Sequence, residues 1–367
     1  MKWTMFKRME IKAETDTYPL YLGSGLLARA GAILREVGLA GKVLVVTNPT
    51  VGALYLGVMV KALAAAGFDV QTVTIPDGEV YKCLDQLTRV YDAAAAGCLE
   101  RDSMILALGG GVIGDLAGFA AATYLRGVRL VQVPTSLLAQ VDSSIGGKVA
   151  VNHREGKNLV GSFYQPSVVL SDLDALTTLN EREFKTGLAE IIKVGLIGDS
   201  TLDAFLREHS AAVRRRAPEA LMEIIARACA FKAQVVTEDV RERGRRAILN
   251  YGHTIGHALE AVTGYTVYRH GEAVAIGMAA AAAISVAQGL ATPELSRATL
   301  EVLALYDLPA TIPGIPAEQL LARMAWDKKV KDGRPRLVLS PRIGEAVVKD
   351  DVPPEVILAV LRRMGAV

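Results

Sequence analysis

Four short apolar runs, separated by helical patterns, constrain the first half of this chain more than any other feature. Lys42-Val43-Leu44-Val45-Val46-Thr47 has strand length, and a helix-like stretch follows from Val51 to Gly67. A second strand is expected around Val70 to Ile75, a third over Ser103 to Leu108 ending in glycines, and a fourth over Leu130 to Val133 before Pro134. Strand, helix, strand at this spacing predicts a parallel sheet, and hence an α/β domain. From about Thr178 the character changes. Helical periodicity dominates from Glu181, with long amphipathic stretches through Ile225 and Ala258, and strand signals nearly vanish until Arg336 to Leu339. The expected organisation is an α/β domain over residues 1–178 and a mostly α-helical domain over residues 179–367. A cleft between two such domains is a common place for a small-molecule site.

Composition narrows the function classes. A chain of 367 residues can bury one large or two medium cores. Its formal net charge of +2 is too small to point to a nucleic acid or an anionic membrane, so anion recognition must be local. Cys83, Cys98 and Cys229 are odd in number and form no CxxC pair, which fits a reducing compartment without a disulfide framework. Met1 to Glu10 has charges and no apolar core, so no signal peptide is expected. The longest apolar stretch, Ala273 to Ala287, contains Gly277 and Ser285 and reads as a buried alanine-rich helix too short to span a bilayer. A soluble cytoplasmic protein is the expectation. Arg214-Arg215-Arg216 reads as a solvated helix face.

Gly109-Gly110-Gly111-Val112-Ile113-Gly114-Asp115 follows a strand-like run and precedes an apolar helix pattern; Gly109, Gly111 and Gly114 satisfy GxGxxG. Glycines let the backbone approach a pyrophosphate, and the free N–H groups of a helix start supply donors and favourable dipole charge. A glycine turn that merely packs helix on strand has the same look. The acidic residue that a dinucleotide fingerprint wants about twenty residues later is missing, because that region is Gln132-Val133-Pro134-Thr135. Asp77 and Glu79, with Lys82 close behind, could serve the ribose instead.

His253 and His257 stand four apart on one helical face, and His270 follows, so three of the five histidines fall within eighteen residues. Two imidazoles and one carboxylate with an open position is a known plan for catalytic zinc. Glu190 is the best distant carboxylate, because it interrupts an apolar helical stretch where a charge needs a partner. Spacing leaves open which histidines are ligands. Arg126, Lys148 and Lys157 sit beside glycines and apolar residues, away from charge runs; Lys193 lies one helical turn after Glu190, and Lys232 and Arg246 lie near the histidine segment. Singly each reads as a surface ion pair. Together they suit a small substrate bearing both phosphate and carboxylate.

These segments together resemble the 3-dehydroquinate synthase family of sugar phosphate cyclases. The resemblance is carried by Gly109 to Phe119, by Val133 to Lys148, by Gly156-Lys157-Asn158-Leu159-Val160-Gly161, and by Gln165-Pro166. It continues through Ala189-Glu190 to Lys193, Leu249-Asn250-Tyr251-Gly252-His253 and His270-Gly271-Glu272-Ala273-Val274, spanning about residues 40 to 340. It implies an NAD-dependent, metal-dependent lyase of the shikimate pathway to chorismate and aromatic amino acids. Such an enzyme converts 3-deoxy-D-arabino-heptulosonate 7-phosphate to 3-dehydroquinate and phosphate by transient oxidation, phosphate elimination, re-reduction and aldol closure. It implies Glu190, His253 and His270 as ligands of zinc or cobalt, with His257 close to the substrate. Asp142, Lys148, Asn158, Lys193, Lys232, Arg246 and Asn250 match active-site positions, as does Lys328 or Lys329. Arg126 matches a phosphate-binding arginine contributed across a homodimer. NAD contacts are implied for Asp77, Glu79, Lys82, Gly110, Gly111, Asp115, Thr135, Ser136, Lys157 and Thr178.

Several positions depart from the family pattern. Asn48 and Thr50 stand where an Asp and an Asn are usual after the first strand, Ser136 replaces a second Thr, Asn180 a Pro and Arg245 a Leu. The nearest rival is a cyclase making another carbocycle, of the 2-deoxy-scyllo-inosose or valiolone type. A metal-dependent polyol dehydrogenase would not need the cation cluster, and a catalytically dead NAD-binding module would not be expected to keep the ligand triad.

Overall fold

The structure, a computed structural model, describes residues 6–13, 16–239, 244–325 and 336–367. The chain forms two compact units, Met1–Leu179 with Lys232–Val240, and Asn180–Phe231 with Arg241–Val367. No periodicity marks the return to the first unit, because one helix, Pro218–Glu238, runs straight through Lys232.

The first unit is built on strands β1 (Phe6–Ala13), β2 (Asp16–Gly23), β3 (Lys42–Thr47), β4 (Asp69–Thr74), β5 (Met104–Gly109), β6 (Arg129–Pro134), β7 (Lys148–His153), β8 (Gly156–Phe163) and β9 (Val168–Asp172). Seven of them make one sheet in the order β1-β2-β9-β6-β5-β3-β4. All neighbours are parallel except β1 and β2. The physical reason lies in the apolar runs: Val43 and Val45 enter one core layer, while Leu44 and Val46 enter the other. Both faces of such a strand are covered, so its sequence shows no alternation. Each fully buried Val, Leu or Ile side chain contributes about 1.5–3 kcal/mol. Because the strands are parallel, the segments that follow β3, β4, β5 and β6 gather at one edge of the sheet. That edge, where the order turns back at β3 and β5, is where doubly wound sheets bind ligands. Sequence reading missed β1, β2, the β7–β8 hairpin and β9. In β1 the mostly exposed pattern of an edge strand leaves little apolar signal, and β8 is likewise exposed or half-buried throughout.

The second unit is mostly helical, with one antiparallel pair, β10 (Leu337–Arg342) and β11 (Glu345–Lys349). Asn180 accepts a hydrogen bond from the Glu183 N–H at 2.9 Å, an N-cap that starts the Glu181–Ile197 helix. The alanine-rich helix begins at His270, before the expected Ala273, and runs 18 residues to Ala287; 72% of it is buried. By length and composition alone it could cross a membrane, but its alanines and glycines are packed inside this unit. Its burial on all sides follows from contacts too close for larger side chains. A Cβ on Gly271 would stand 2.3 Å from the Thr186 carbonyl oxygen, and one on Gly277 would stand 1.9 Å from that of Gly252. Arg216 departs from the solvated-face expectation: it lies at a positive φ of 56° beyond the helix end, stacks over Phe184 and pairs with Glu181.

Candidate functional site

In the first unit the glycine turn leads from β5 into the Gly111–Thr123 helix, whose start at Gly110 has no side-chain cap. Its first N–H groups are therefore available to a ligand. The approach is narrow: a Cβ on Gly110 would meet the Ser136 hydroxyl at 3.4 Å, and one on Gly111 the Ser143 hydroxyl at 3.2 Å. Thr135 follows β6 and its N–H donates to the Gly109 carbonyl at 2.9 Å, which ties the two turns together.

Lys82 lies in the loop behind Asp77 and Glu79, and its side chain is buried. Its ammonium pairs with Asp115 and donates to Asn158 Oδ1 at 2.6 Å. Burial pushes the Asp115 carboxyl above its ordinary value, against the pull of Lys82. Asn158 holds a left-handed backbone, φ 53°, and its N–H donates to Asn152 Oδ1 at 2.9 Å. Asn152 in turn donates to Glu79 at 2.8 Å. Asp77 is exposed and accepts from the Thr50 hydroxyl at 2.9 Å, while Asn48 caps its own helix by accepting from the Val51 N–H. The two departures from the family pattern are thus both engaged locally. Thr178 and Tyr55 share a hydroxyl–hydroxyl hydrogen bond of 2.5 Å.

Asp142 lies in a short π-helical turn, Ala139–Ser143, a geometry common at functional sites. Lys232 donates to its carboxylate and to its carbonyl, each at 2.5 Å. Ninety positions separate the two residues, so no local pattern announces the pair. Lys148 opens β7 at an exposed position, Lys157 is half-buried, and Arg126 is exposed on a left-handed turn, φ 68°.

The second unit brings Glu190, His253 and His270 together. Glu190 Oε1 lies 3.5 Å from His253 Nε2 and 3.7 Å from His270 Nε2. The other Glu190 oxygen pairs with Lys193, and both side chains are almost fully buried. His253 Nδ1 lies 3.1 Å from the Tyr251 carbonyl, and His270 Nδ1 lies 3.2 Å from Glu260. Each Nδ1 faces an acceptor and so carries its ring's proton, which leaves a lone pair on each Nε2. Burial holds the His253 imidazole well below its ordinary pKa, with Lys193, His270 and His257 adding in the same direction. Two lone pairs and a buried carboxylate oxygen without a hydrogen-bond partner therefore converge on one point. A divalent cation would satisfy all three, and the two spacings to Glu190 are close to the edge of about 3.3–3.4 Å expected of a tetrahedral N/O zinc site.

The His257 ring lies 5.3 Å from that of His253 and 5.8 Å from that of His270, at an exposed position beside the triad. Arg246 is buried, and Asn250 donates to the Ala247 carbonyl at 3.1 Å, both in the 3-10 turn leading to His253. Lys328 and Lys329 lie outside the described residues. Two carboxylates escaped sequence reading. Glu272 accepts from the Arg269 N–H at 2.8 Å and from Arg182 at 2.6 and 2.7 Å, which fixes the start of the helix that carries His270. Burial pushes its carboxyl up, but Arg182 and Arg269 together outweigh this and leave it below its ordinary value. Glu260 is the other; its place three residues after His257, on the same helical face, was the available signal.

Comparison with known proteins identifies the family. The family profile for the 3-dehydroquinate synthase N-terminal region matches residues 72–186, and that for the C-terminal region matches residues 187–330. A 3-dehydroquinate synthase of Syntrophotalea carbinolica is 47% identical over 353 residues, covering 96% of this chain and 98% of that protein. Among solved structures, a 2-epi-5-epi-valiolone synthase from Streptomyces hygroscopicus with NAD+ and Zn2+ bound is 31% identical. It superposes with a TM-score of 0.88 over 98% of this chain and 99% of that one. A 2-deoxy-scyllo-inosose synthase complexed with carbaglucose-6-phosphate, NAD+ and Co2+ is 26% identical, with a TM-score of 0.88 over 98% of this chain and all of that one. On both profile matches and near full-length identity, the chain belongs to the 3-dehydroquinate synthase family.

Proposed function

We propose that this chain is a carbon–oxygen lyase acting on a phosphate ester, converting 3-deoxy-D-arabino-heptulosonate 7-phosphate to 3-dehydroquinate and phosphate. The observation that carries the reading is the trio of Glu190 Oε1, His253 Nε2 and His270 Nε2, three acceptors facing one another with no donor among them. When bound, a divalent zinc or cobalt ion there supplies Lewis-acid polarisation of substrate oxygens, and NAD supplies a reversible hydride acceptor. Glu190, His253 and His270 hold the ion, and Lys193 keeps the Glu190 carboxylate oriented. His257, exposed beside the triad, and Lys193 move protons to and from the substrate hydroxyls. Arg246, Asn250, Lys148, Lys232 and Asn158 bind the carboxylate and phosphate, with Asp142 holding Lys232 in place.

For the cofactor, Gly110 and Gly111 receive the pyrophosphate. Asp77, Glu79, Lys82, Asp115, Thr135, Ser136, Lys157 and Thr178 hold the rest of NAD. The domain assignment follows: residues 1–178 bind NAD, and residues 179–367 bind metal and substrate, with Arg126, Lys148 and Asn158 of the first segment as further substrate contacts. We also propose a cytoplasmic homodimer, in which Arg126 reaches the phosphate bound by the partner subunit.

The decisive assay uses metal-loaded protein with catalytic NAD and 3-deoxy-D-arabino-heptulosonate 7-phosphate. Stoichiometric phosphate and dehydroquinate are expected without accumulating NADH. Accumulating NADH would mark a simple dehydrogenase. No phosphate release, with NAD and metal bound, would move the reading to a cyclase with a different phosphorylated sugar. A second expectation concerns Lys82→Met, which removes a buried ammonium from between Asp115 and Asn158. Hydrogen bonds to charged groups contribute about 1.5–3 kcal/mol, so the KM for NAD should rise roughly 10- to 100-fold. An unchanged NAD dependence would remove Lys82 from the cofactor site.

A further inference from the structure

Glu260 is a buried carboxylate with no role in the reading above. It lies on the His253–Val262 helix, and positions 253, 257 and 260 fall at i, i+4 and i+7, on one face. Its side chain is 6% exposed, and its Oε2 stands 3.2 Å from His270 Nδ1. Burying a carboxylate is costly unless a partner compensates it, so its position beside one particular imidazole calls for a reason.

A neutral imidazole carries one N–H and one lone pair, and the partner of one nitrogen decides the state of the other. With Glu260 behind Nδ1, the His270 proton stays on that side and the lone pair stays on Nε2, the nitrogen that faces Glu190 at 3.7 Å. His253 is oriented differently, by the neutral Tyr251 carbonyl at 3.1 Å. The two imidazoles of the triad are therefore not equivalent: one is backed by a carboxyl group and the other by a backbone carbonyl, and a carboxylate partner raises the basicity of a histidine ligand.

Glu260 also belongs to a second possible ligand set, with His257 and His270. The distinction rests on the orphan atom. Glu190 Oε1 is buried without a hydrogen-bond partner among the described residues, whereas the Glu260 carboxylate is engaged with His270. We propose that Glu260 is a positioning residue for the metal centre. It fixes the His270 tautomer and ring orientation and strengthens that ligand, without touching the ion itself. The inference rests on the ligand set proposed above.

The test uses the full chain, stripped of metal, as the parent, Glu260→Gln and Glu260→Ala. Zinc affinity and stoichiometry are measured by competition with a chromophoric chelator, and ligand field by the visible absorption of the cobalt-loaded forms. One ion per chain is expected throughout. Glu260→Ala should weaken zinc by about 10- to 100-fold, the usual consequence of losing such a partner. Glu260→Gln keeps an acceptor oxygen and should lose less, and the cobalt bands should move in both variants. Thermal unfolding of the metal-free proteins identifies a variant that fails to fold, and in that case Glu260→Gln alone carries the test. Unchanged affinity and cobalt spectrum in the folded variants would overturn the proposal. So would two ions per parent chain and one per variant, which would make Glu260 a ligand. A parent chain that binds no divalent ion would bring down the ligand set itself, and the positioning role with it.

Discussion

Glu190→Gln is expected to empty the metal centre on dialysis and to lower turnover by about a thousandfold or more, since Lewis-acid stabilisation supplies several kcal/mol to such transition states. The glutamine is the informative replacement. Glu190 and Lys193 form a buried pair, both nearly inaccessible to solvent. Truncation to alanine would leave the ammonium buried and unpaired, at a cost of about 3–5 kcal/mol, and would confuse loss of metal with loss of fold. Glutamine retains an oxygen for Lys193 and removes only the charge that balances the ion. His270→Ala is expected to act in the same direction, losing both metal and turnover. Metal content after dialysis and single-turnover phosphate release check both variants. Full activity in a metal-free variant would sink the metal-dependent reading.

That triad was partly legible beforehand, and for a physical reason. A carboxylate inside an apolar helical stretch and histidines spaced four apart are local anomalies, visible without any knowledge of the fold. β3, β5 and β6 were legible for a similar reason, because strands covered on both faces need unbroken apolar runs. What escaped notice depends on partners distant in sequence. Lys82 reads as a loop cation beside Asp77 and Glu79, yet it is buried against Asp115, 33 positions away. Nothing near Lys232 announces Asp142, and nothing near Arg216 announces the Phe184 ring on which it stacks. The β7–β8 hairpin was missed because its β8 strand covers little apolar surface and so carries little pattern. Asn48 and Thr50 look like substitutions at a ribose site, but their side chains serve a helix cap and Asp77. Composition cannot show that choice between local and ligand bonding.

Gly277 shows how far a fold requirement can hide in a residue that looked incidental, and it sets the second large expectation. In sequence it served only to argue against a membrane span. In the structure its missing side chain is what lets the His270–Ala287 helix approach the turn before His253. A Cβ there would lie 1.9 Å from the Gly252 carbonyl oxygen and 2.8 Å from the carbonyl carbon. Gly252 cannot retreat freely, because it holds a left-handed φ of 77° and its own α-carbon faces Val274 and Met278 on the same helix. Two effects oppose each other in Gly277→Ala. Helix propensity favours alanine over glycine by about 0.8–1.0 kcal/mol. Overpacking against backbone costs about 1–3 kcal/mol and sometimes more, and here the obstacle is a carbonyl and not a flexible side chain. Packing should win, so the denaturation midpoint should fall despite the better helix former. The backbone that must move carries His253 as its next residue, so zinc affinity should fall along with stability. A variant as stable as the parent and equally retentive of zinc would show that the ligand-bearing helices are not set by this glycine contact.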